Sequence, residues 1–583
     1  MTPLSLPFST RFATVAALFV ALAAPPLHAQ RVLGPGDDAW LLPGGVMRVQ
    51  IAPEWSFARE RWADGSTAAP RGELEPLGAL LSRESWDASV LETLGPVEGA
   101  LRSLSGLGAF NASLGRAMVD MESAVSRTPF RIDLGISSRL TVGVMVPYVI
   151  AQQEVTFHPN PDGTGGTVAL NPAHELAAAR TRNAAVVAEF DAAAFELQSR
   201  LDACDADPSQ AGCGALIADR AAAEALIAST NSYLAGLLSV FGDGGANPGA
   251  DFVPIAGTAV QLAIDHRIGE FDTAYRGYLG SSAPVLGSRP FAAQASMALE
   301  DAQRLLTDPT FGIEADALKR VTRYGIGDIE VGAMLLLIDP YGGSAERRLY
   351  PSGPALRLAA GGLVRLGTGK LDSPNNFADI GTGDHQNDVE GRVVADVILG
   401  SHAWISMAGR YGVQLADQVE RRIPLVRGLP FTGSYARQLV DRDLGDYITL
   451  DVTPRWSLNE YVQVGGQYRF VRRDRDRYTG TFTVNDLNNE PVSLDASTLD
   501  DLETMTQQQV GGSITFSTVG AHHRRQTSMA MDVSLSHRRA IAGAGLAPKS
   551  SITAVTFRIY SRLWGADHRP SPRGGRPGSA ARP

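Results

Sequence analysis

From Gly45 to Trp564 the chain keeps returning to one pattern, in which apolar and polar side chains alternate residue by residue. In the run Phe130-Arg131-Ile132-Asp133-Leu134-Gly135-Ile136, the apolar side chains fall on every second position. In 140–150, Leu140, Val142, Val144, Val146, Tyr148 and Ile150 alternate with Thr141, Gly143, Met145 and Pro147. Successive residues of a strand point to opposite faces, so each such segment has one greasy side and one wet side. The pattern recurs at 46–58, 114–137, 327–337, 356–366, 389–399, 403–415, 447–456, 461–471, 504–518, 527–537 and 551–564. That makes about twelve strands, an even number as bacterial barrels require. The predicted fold class is an all-β transmembrane barrel.

The connections sort by length. Those at 137–139, 400–402 and 457–460 are short, and the one around Gly520 is modest. Long polar loops lie between them, at 59–113, 160–322, 368–388, 418–445 and 472–503. With both chain ends on the inner side of a membrane, every long loop falls outside and every short turn inside. The connection 339–353 is the one inner turn longer than this rule favours.

One loop changes character altogether. Runs 177–201 and 215–238 are Ala-rich with helical spacing, and further helices are expected at 256–278 and 290–306, with a short one at 87–104. An insertion of roughly 150 residues is far above ordinary loop length and points to function. Whether these helices plug the lumen or stand outside it stays open. Cys204 and Cys213, the two cysteines of the chain, fall between the first two helices. An even pair so close in an exported chain predicts one disulfide pinning a helical hairpin.

Composition then fits the barrel. The 583 residues are 44% hydrophobic and 20% charged, with a mean hydropathy of −0.04. Such a near-soluble average arises because half of each strand faces a polar lumen. A net charge of −10 argues against a nucleic-acid surface. At the start, Arg11, the apolar run 12–24 and Leu27-His28-Ala29 before Gln30 resemble a cleaved secretory signal. That run is too short to cross a bilayer as a helix, and no later stretch reaches about 20 uninterrupted apolar residues. The expected location is the outer membrane, with its lipids and the barrel-assembly machinery as partners. The chain therefore divides into a signal peptide (1–29), three strands with a long first loop (30–160), the helical insertion (161–322), the remaining strands (323–564) and a disordered basic tail (565–583).

Candidate chemistry sits on the polar faces. They carry Arg131, Asp133, Asp328, Glu330, Arg357, Arg365, Glu390, Arg392, Asp396, Arg410, Asp451, Arg455, Arg469, Asp532 and Arg558. Charges here are costly against lipid and are expected to point into the lumen. They serve there either as an ion-paired filling or as a channel lining for polar solutes. Small residues among them (Gly143, Gly332, Ala359, Gly361, Gly465) are expected to leave space. Arg is accordingly expected to be tolerated at Thr141 or Gly332 far better than at Val144 or Leu335. Catalytic patterns are not found. His174-Glu175 lacks the second histidine of a metalloprotease helix, and Gly367-Thr368-Gly369-Lys370 lacks the leading glycine of a P-loop. The oxygen-rich stretch with Asp372, Asp379, Asp384 and Asp388 matches no defined calcium loop. No catalytic residue, metal or cofactor is assigned.

Three segments carry a family signal: Tyr324-Gly325-Ile326-Gly327-Asp328-Ile329-Glu330-Val331-Gly332, Gly143-Val144-Met145-Val146-Pro147-Tyr148 and Leu363-Val364-Arg365-Leu366-Gly367-Thr368-Gly369. They resemble outer-membrane transporters of the phenol-degradation meta-pathway type, over 129–150 and 324–564. The helical insertion has no counterpart in that pattern. The resemblance implies passive passage of small, hydrophobic or aromatic solutes across the outer membrane. Two other readings stand beside it, a structural or adhesin-like surface protein and, last, a membrane-embedded lipid-modifying enzyme. The solute, the pore width and the oligomeric state are not fixed at this stage.

Overall fold

The computed structural model describes residues 38–565, except 68, 164, 343–346 and 349–352. The signal peptide and the basic tail after residue 565 lie outside the described residues.

Twelve antiparallel strands close on themselves. In chain order, β1 is Val46–Ile51 continued as Glu54–Ala58, β2 is Ala117–Gly135, and β3 is Leu140–Pro159. Then β4 is Val321–Ile326 continued as Ile329–Ile338, β5 is Ala355–Leu366, β6 is Asp388–Ile398, and β7 is Ala403–Gln414. The last five are β8 (Tyr447–Ser457), β9 (Val462–Arg473), β10 (Met505–Ser517), β11 (Ala530–Ala544) and β12 (Ser551–Arg562). Strand β1 closes the ring, pairing β12 through Val46↔Arg562 and β2 through Met47↔Leu134. Closure leaves no bare edge of N–H and C=O groups, which is what a sheet crossing lipid needs.

The alternation sets the two surfaces. Val144, Val331 and Val364 meet in register across three strands and all face outward, exposed. Ile132, Leu335, Val393, Leu450, Ile514, Leu535 and Phe557 continue this apolar belt around the ring. Exposed aromatics flank it, with Trp456 and Trp564 toward the end of the short turns and Tyr324, Tyr148 and Tyr411 toward the loops. An unbroken apolar girdle with aromatic rims is a lipid-facing surface.

Several boundaries differ from expectation. Strand β1 breaks at Ala52-Pro53, where proline has no N–H for the ladder, and Ala52 N donates to the Pro129 carbonyl instead. Strand β3 runs on past the expected 150 to Pro159, 20 residues in all, alongside β2, whose 19 residues from Ala117 agree with the long strand expected at 114–137. Strand β4 begins at Val321 and is interrupted at Gly327-Asp328, and β11 runs on to Ala544. One connection on the loop side, 545–550, is short, against the rule that short turns fall inside. It turns at Gly545 (φ 63°) and is anchored where Ala547 packs on Trp62 and Ala540.

The helices are α1 (Gly95–Ser105), α2 (Ala177–Ala206), α3 (Cys213–Ala218), α4 (Arg220–Phe241), α5 (Ala259–Leu279) and α6 (Leu299–Thr307). The helix expected at 290–306 forms only from Leu299. Its first part is held extended because Ala293 N donates to Pro254 O and Ala256 N to Ala293 O. Along α2, Val186, Phe190, Ala193, Leu197, Leu201 and Cys204 make one buried stripe at helical spacing. That stripe joins Leu101 and Leu104 of α1, Tyr233 and Val240 of α4, and Ile264 and Ile268 of α5 in a single core. Val119, Val155 and Phe157 from the tips of β2 and β3, with Phe431 from a later loop, complete the same core. The helices thus stand on the loop end of the barrel, and none of their residues lines the lumen cavities described below.

Cys204 and Cys213 form a disulfide, nine residues apart in sequence, between α2 and α3. Closing so short a loop in the unfolded chain is worth roughly 2.5 kcal/mol. Replacing both cysteines by serine is expected to lower the melting of the helical signal in circular dichroism while the strand signal keeps its transition.

Candidate functional site

The polar face of every strand turns inward, and its charges meet in networks. Asp133 is clamped by two guanidiniums, Arg48 and Arg131, each at 2.8 Å. Arg365 spans Glu330 at 3.2 Å and Asp388 at 2.5 Å. Arg392 meets Glu390 at 2.5 Å, and Asp451 faces Arg410 at 3.3 Å and Arg469 at 3.9 Å. Arg357 and Asp396 pair at 3.7 Å, both fully buried. Asp532 accepts from the Tyr560 hydroxyl at 2.6 Å and lies opposite Arg558 in the strand register. Asp328 sits nearer the loops and accepts the backbone N–H groups of Gly369 (2.8 Å) and Asp384 (3.2 Å), so it fastens a loop to the barrel rim.

Of the small inward residues, Gly143 and Gly332 line the central cavity described below, but the clearance at each position is small. A Cβ on Gly143 would fall 2.2 Å from Asp133 Oδ1, and one on Gly361 2.2 Å from Ala333 O. Glycine at these points lets a charged neighbour or an adjacent strand come close. The room beside Ala359 and Ala408 is taken by the segment before the first strand, because Ala39 and Leu41 pack there with Leu336 and Val394. Tolerance at Thr141 and Gly332 also needs correction. Thr141 Oγ1 accepts the Leu42 N–H at 3.2 Å, and a Cβ on Gly332 would lie 2.8 Å from Gly362 O. Neither position takes a large side chain.

Residues 38–43 enter the barrel from the turn end and cross its lumen. Asp38 pairs with Arg455 at 3.0 Å, both buried. Ala39 N donates to Asp396 Oδ2 at 3.1 Å, and Trp40 lies under the Arg357 guanidinium at 5.8 Å. Gly45, at φ 77°, turns the segment into β1, and a Cβ there would fall 2.1 Å from Trp564 O. This plug escaped sequence reading. Its signal was Trp40-Leu41-Leu42, an apolar run with no strand to serve, placed just before the first one.

Three cavities follow one another along the axis. The loop-end cavity, about 570 Å³, lies under the folded 367–387 loop and reaches down to Arg127. The central one, about 270 Å³, also touches Arg127 and is floored by Trp40, Leu41 and Leu42. The turn-end one, about 180 Å³, lies on the other side of Trp40 and Leu42 and shares Arg48 with the central cavity. Arg48, Arg127, Glu54 and Arg538 are lining residues that sequence reading did not single out.

Outside the membrane span, the loops are cross-fastened. Arg422 donates to the carbonyls of Ile313, Thr432 and Glu314 and to Asn375 Oδ1, tying a loop strand to the end of the helical insertion. Burial, with Arg437 nearby, holds its pKa below the ordinary guanidinium value. Three residues of the oxygen-rich stretch are ion-paired: Asp372 with Arg421 and Asp379 with Arg323, each at 2.9 Å, and Asp388 with Arg365 as above.

No protein-family model matches the sequence, and no curated protein matches it. Among solved structures the fold is similar to an outer membrane channel from Pseudomonas putida F1. Identity there is 8%, with 91% of this chain and 100% of that chain covered and a TM-score of 0.39. It is also similar to the CymD monoaromatic hydrocarbon channel (6% identity, 90% of each chain, TM-score 0.23). A Pseudomonas aeruginosa FadL homologue matches at 7% identity over 89% of this chain and 90% of that one, with a TM-score of 0.22. At such identities and scores the likeness adds nothing to what the strand register shows.

Proposed function

We propose that the protein is an outer-membrane channel for passive passage of small solutes with hydrophobic or aromatic bodies, held closed by residues 38–43. The observation that carries this is the succession of three cavities through a closed barrel, interrupted by residues 38–43. Structural ion pairs alone would need no such voids, since interiors otherwise pack tightly. A cavity of about 270 Å³ sits just under the range of drug-sized ligand sites, so the solute is small. Its walls are mixed: Trp40, Leu41, Met145, Met334 and Val394 offer apolar surface, and arginines the polar part. Proteins of similar fold are described as channels, one of them for monoaromatic hydrocarbons; the reading here stands on the lumen.

A surface-interaction role keeps one observation in its favour. Phe195 of α2 is 73% exposed and Leu262 of α5 is 56% exposed, both on the domain beyond the loops. Osmotic swelling of liposomes separates the two roles. Purified protein lacking residues 30–43 is expected to admit small solutes and exclude large sugars, while the intact chain admits far less. Liposomes that swell no faster than protein-free ones, even with residues 30–43 removed, would leave the surface role standing.

A further inference from the structure

The chain carries a net charge of −10, yet its lumen is built the other way. Six arginines and four carboxylates line the central cavity. Five arginines face four carboxylates in the loop-end cavity, and three face one in the turn-end cavity. A net excess of one sign between low-dielectric walls attracts counter-ions. Each cavity therefore carries a small excess of arginine in a chain that is acidic overall.

The excess is concentrated on one stretch of wall. Gln50 on β1 stands in register with Arg131 on one side and Arg558 on the other, so two guanidiniums flank a neutral amide. Gln50 Oε1 accepts from Arg558 Nε at 2.8 Å. Asp532, next in the row, takes the Tyr560 hydroxyl, and Asp133 is shared between Arg131 and Arg48. Arg558 is 8% exposed, and its Nη1 has no hydrogen-bond partner among the described residues. A buried donor left so is costly unless something accepts from it. Met145 stands in register beside Arg131, and Trp40, Leu41, Met334 and Val394 also line the cavity.

We infer that the central cavity is a binding site for a small organic anion, a carboxylate on an apolar body, with Arg558 and Arg131 meeting the carboxylate. A guanidinium fork matches the two oxygens of that group, while the apolar wall receives the rest of the molecule. This rests on the channel reading and narrows its solute class.

Benzoate, neutral benzamide and cationic benzylamine share a size and differ in charge. Titration calorimetry on the detergent-solubilised full-length protein is expected to show benzoate bound at least tenfold more tightly than benzamide, and benzylamine not at all. Arg558→Gln should remove that preference, and Arg131→Gln should reduce it, with heat-modifiable gel mobility confirming a folded barrel in each. Equal binding of benzoate and benzamide, or a preference that neither substitution changes, would overturn the inference. Bilayer conductance judges the channel reading separately. Benzoate binding in a protein that never conducts sinks the channel and keeps the site, and conduction without anion preference does the reverse.

Discussion

With residues 30–43 removed, the barrel is expected to conduct several-fold more current in planar bilayers than the intact chain, and steadily. The segment 38–43 is the floor of the central cavity and the roof of the turn-end one. Ala39, Leu41 and Leu42 are each at most 6% exposed, tightly inserted. Burying each leucine contributes about 1.5–3 kcal/mol, so the closed arrangement dominates at rest. Asp38→Asn tests the same point more gently. It removes one half of a buried ion pair with Arg455, a loss worth about 3–5 kcal/mol. A shift of that size moves a closed-to-open equilibrium by about 100-fold or more, so intermittent openings should replace steady closure. A truncated barrel that folds but carries no more current than the intact one would show that the segment is not the barrier.

Arg placed at Val331 is expected to destabilise the barrel by about 2–4 kcal/mol, the cost of a cation at mid-membrane on the lipid face. Val331 is exposed, and its in-register neighbours Val144 and Val364 face the same way. The informative control is Ser536→Arg, because Ser536 lines the central cavity where wet volume exists. Thr141 and Gly332 cannot serve as controls, given the plug hydrogen bond on one and the strand contact on the other. Urea unfolding in lipid vesicles, read by tryptophan emission, should place Val331→Arg well below Ser536→Arg. Equal stability of the two would mean that the faces are assigned wrongly.

The sequence determined by itself what is local and periodic. Alternation at 130–136 or 140–150 states which side chains share a face, because strand geometry has a period of two whatever the neighbours are. From that alone came the number of strands, the inward set from Arg131 to Arg558, and the apolar belt. The disulfide was legible too, because a separation of nine positions at the junction of two helices leaves Cys204 and Cys213 close by. What alternation cannot carry is position along the third dimension. The long tips of β2 and β3 alternate like the rest, yet Val119 and Phe157 bury under helices and not in lipid. Whether the helices plug the lumen or stand outside depended on that shared core, whose members lie hundreds of residues apart in sequence. The plug is the plainest case. Trp40-Leu41-Leu42 has no period, and the partners of the adjoining Ala39 and Asp38, Asp396 and Arg455, lie 357 and 417 residues further on. Only closure of the barrel brings those groups together, so the sign and the stopper of the lumen are properties of the tertiary structure alone.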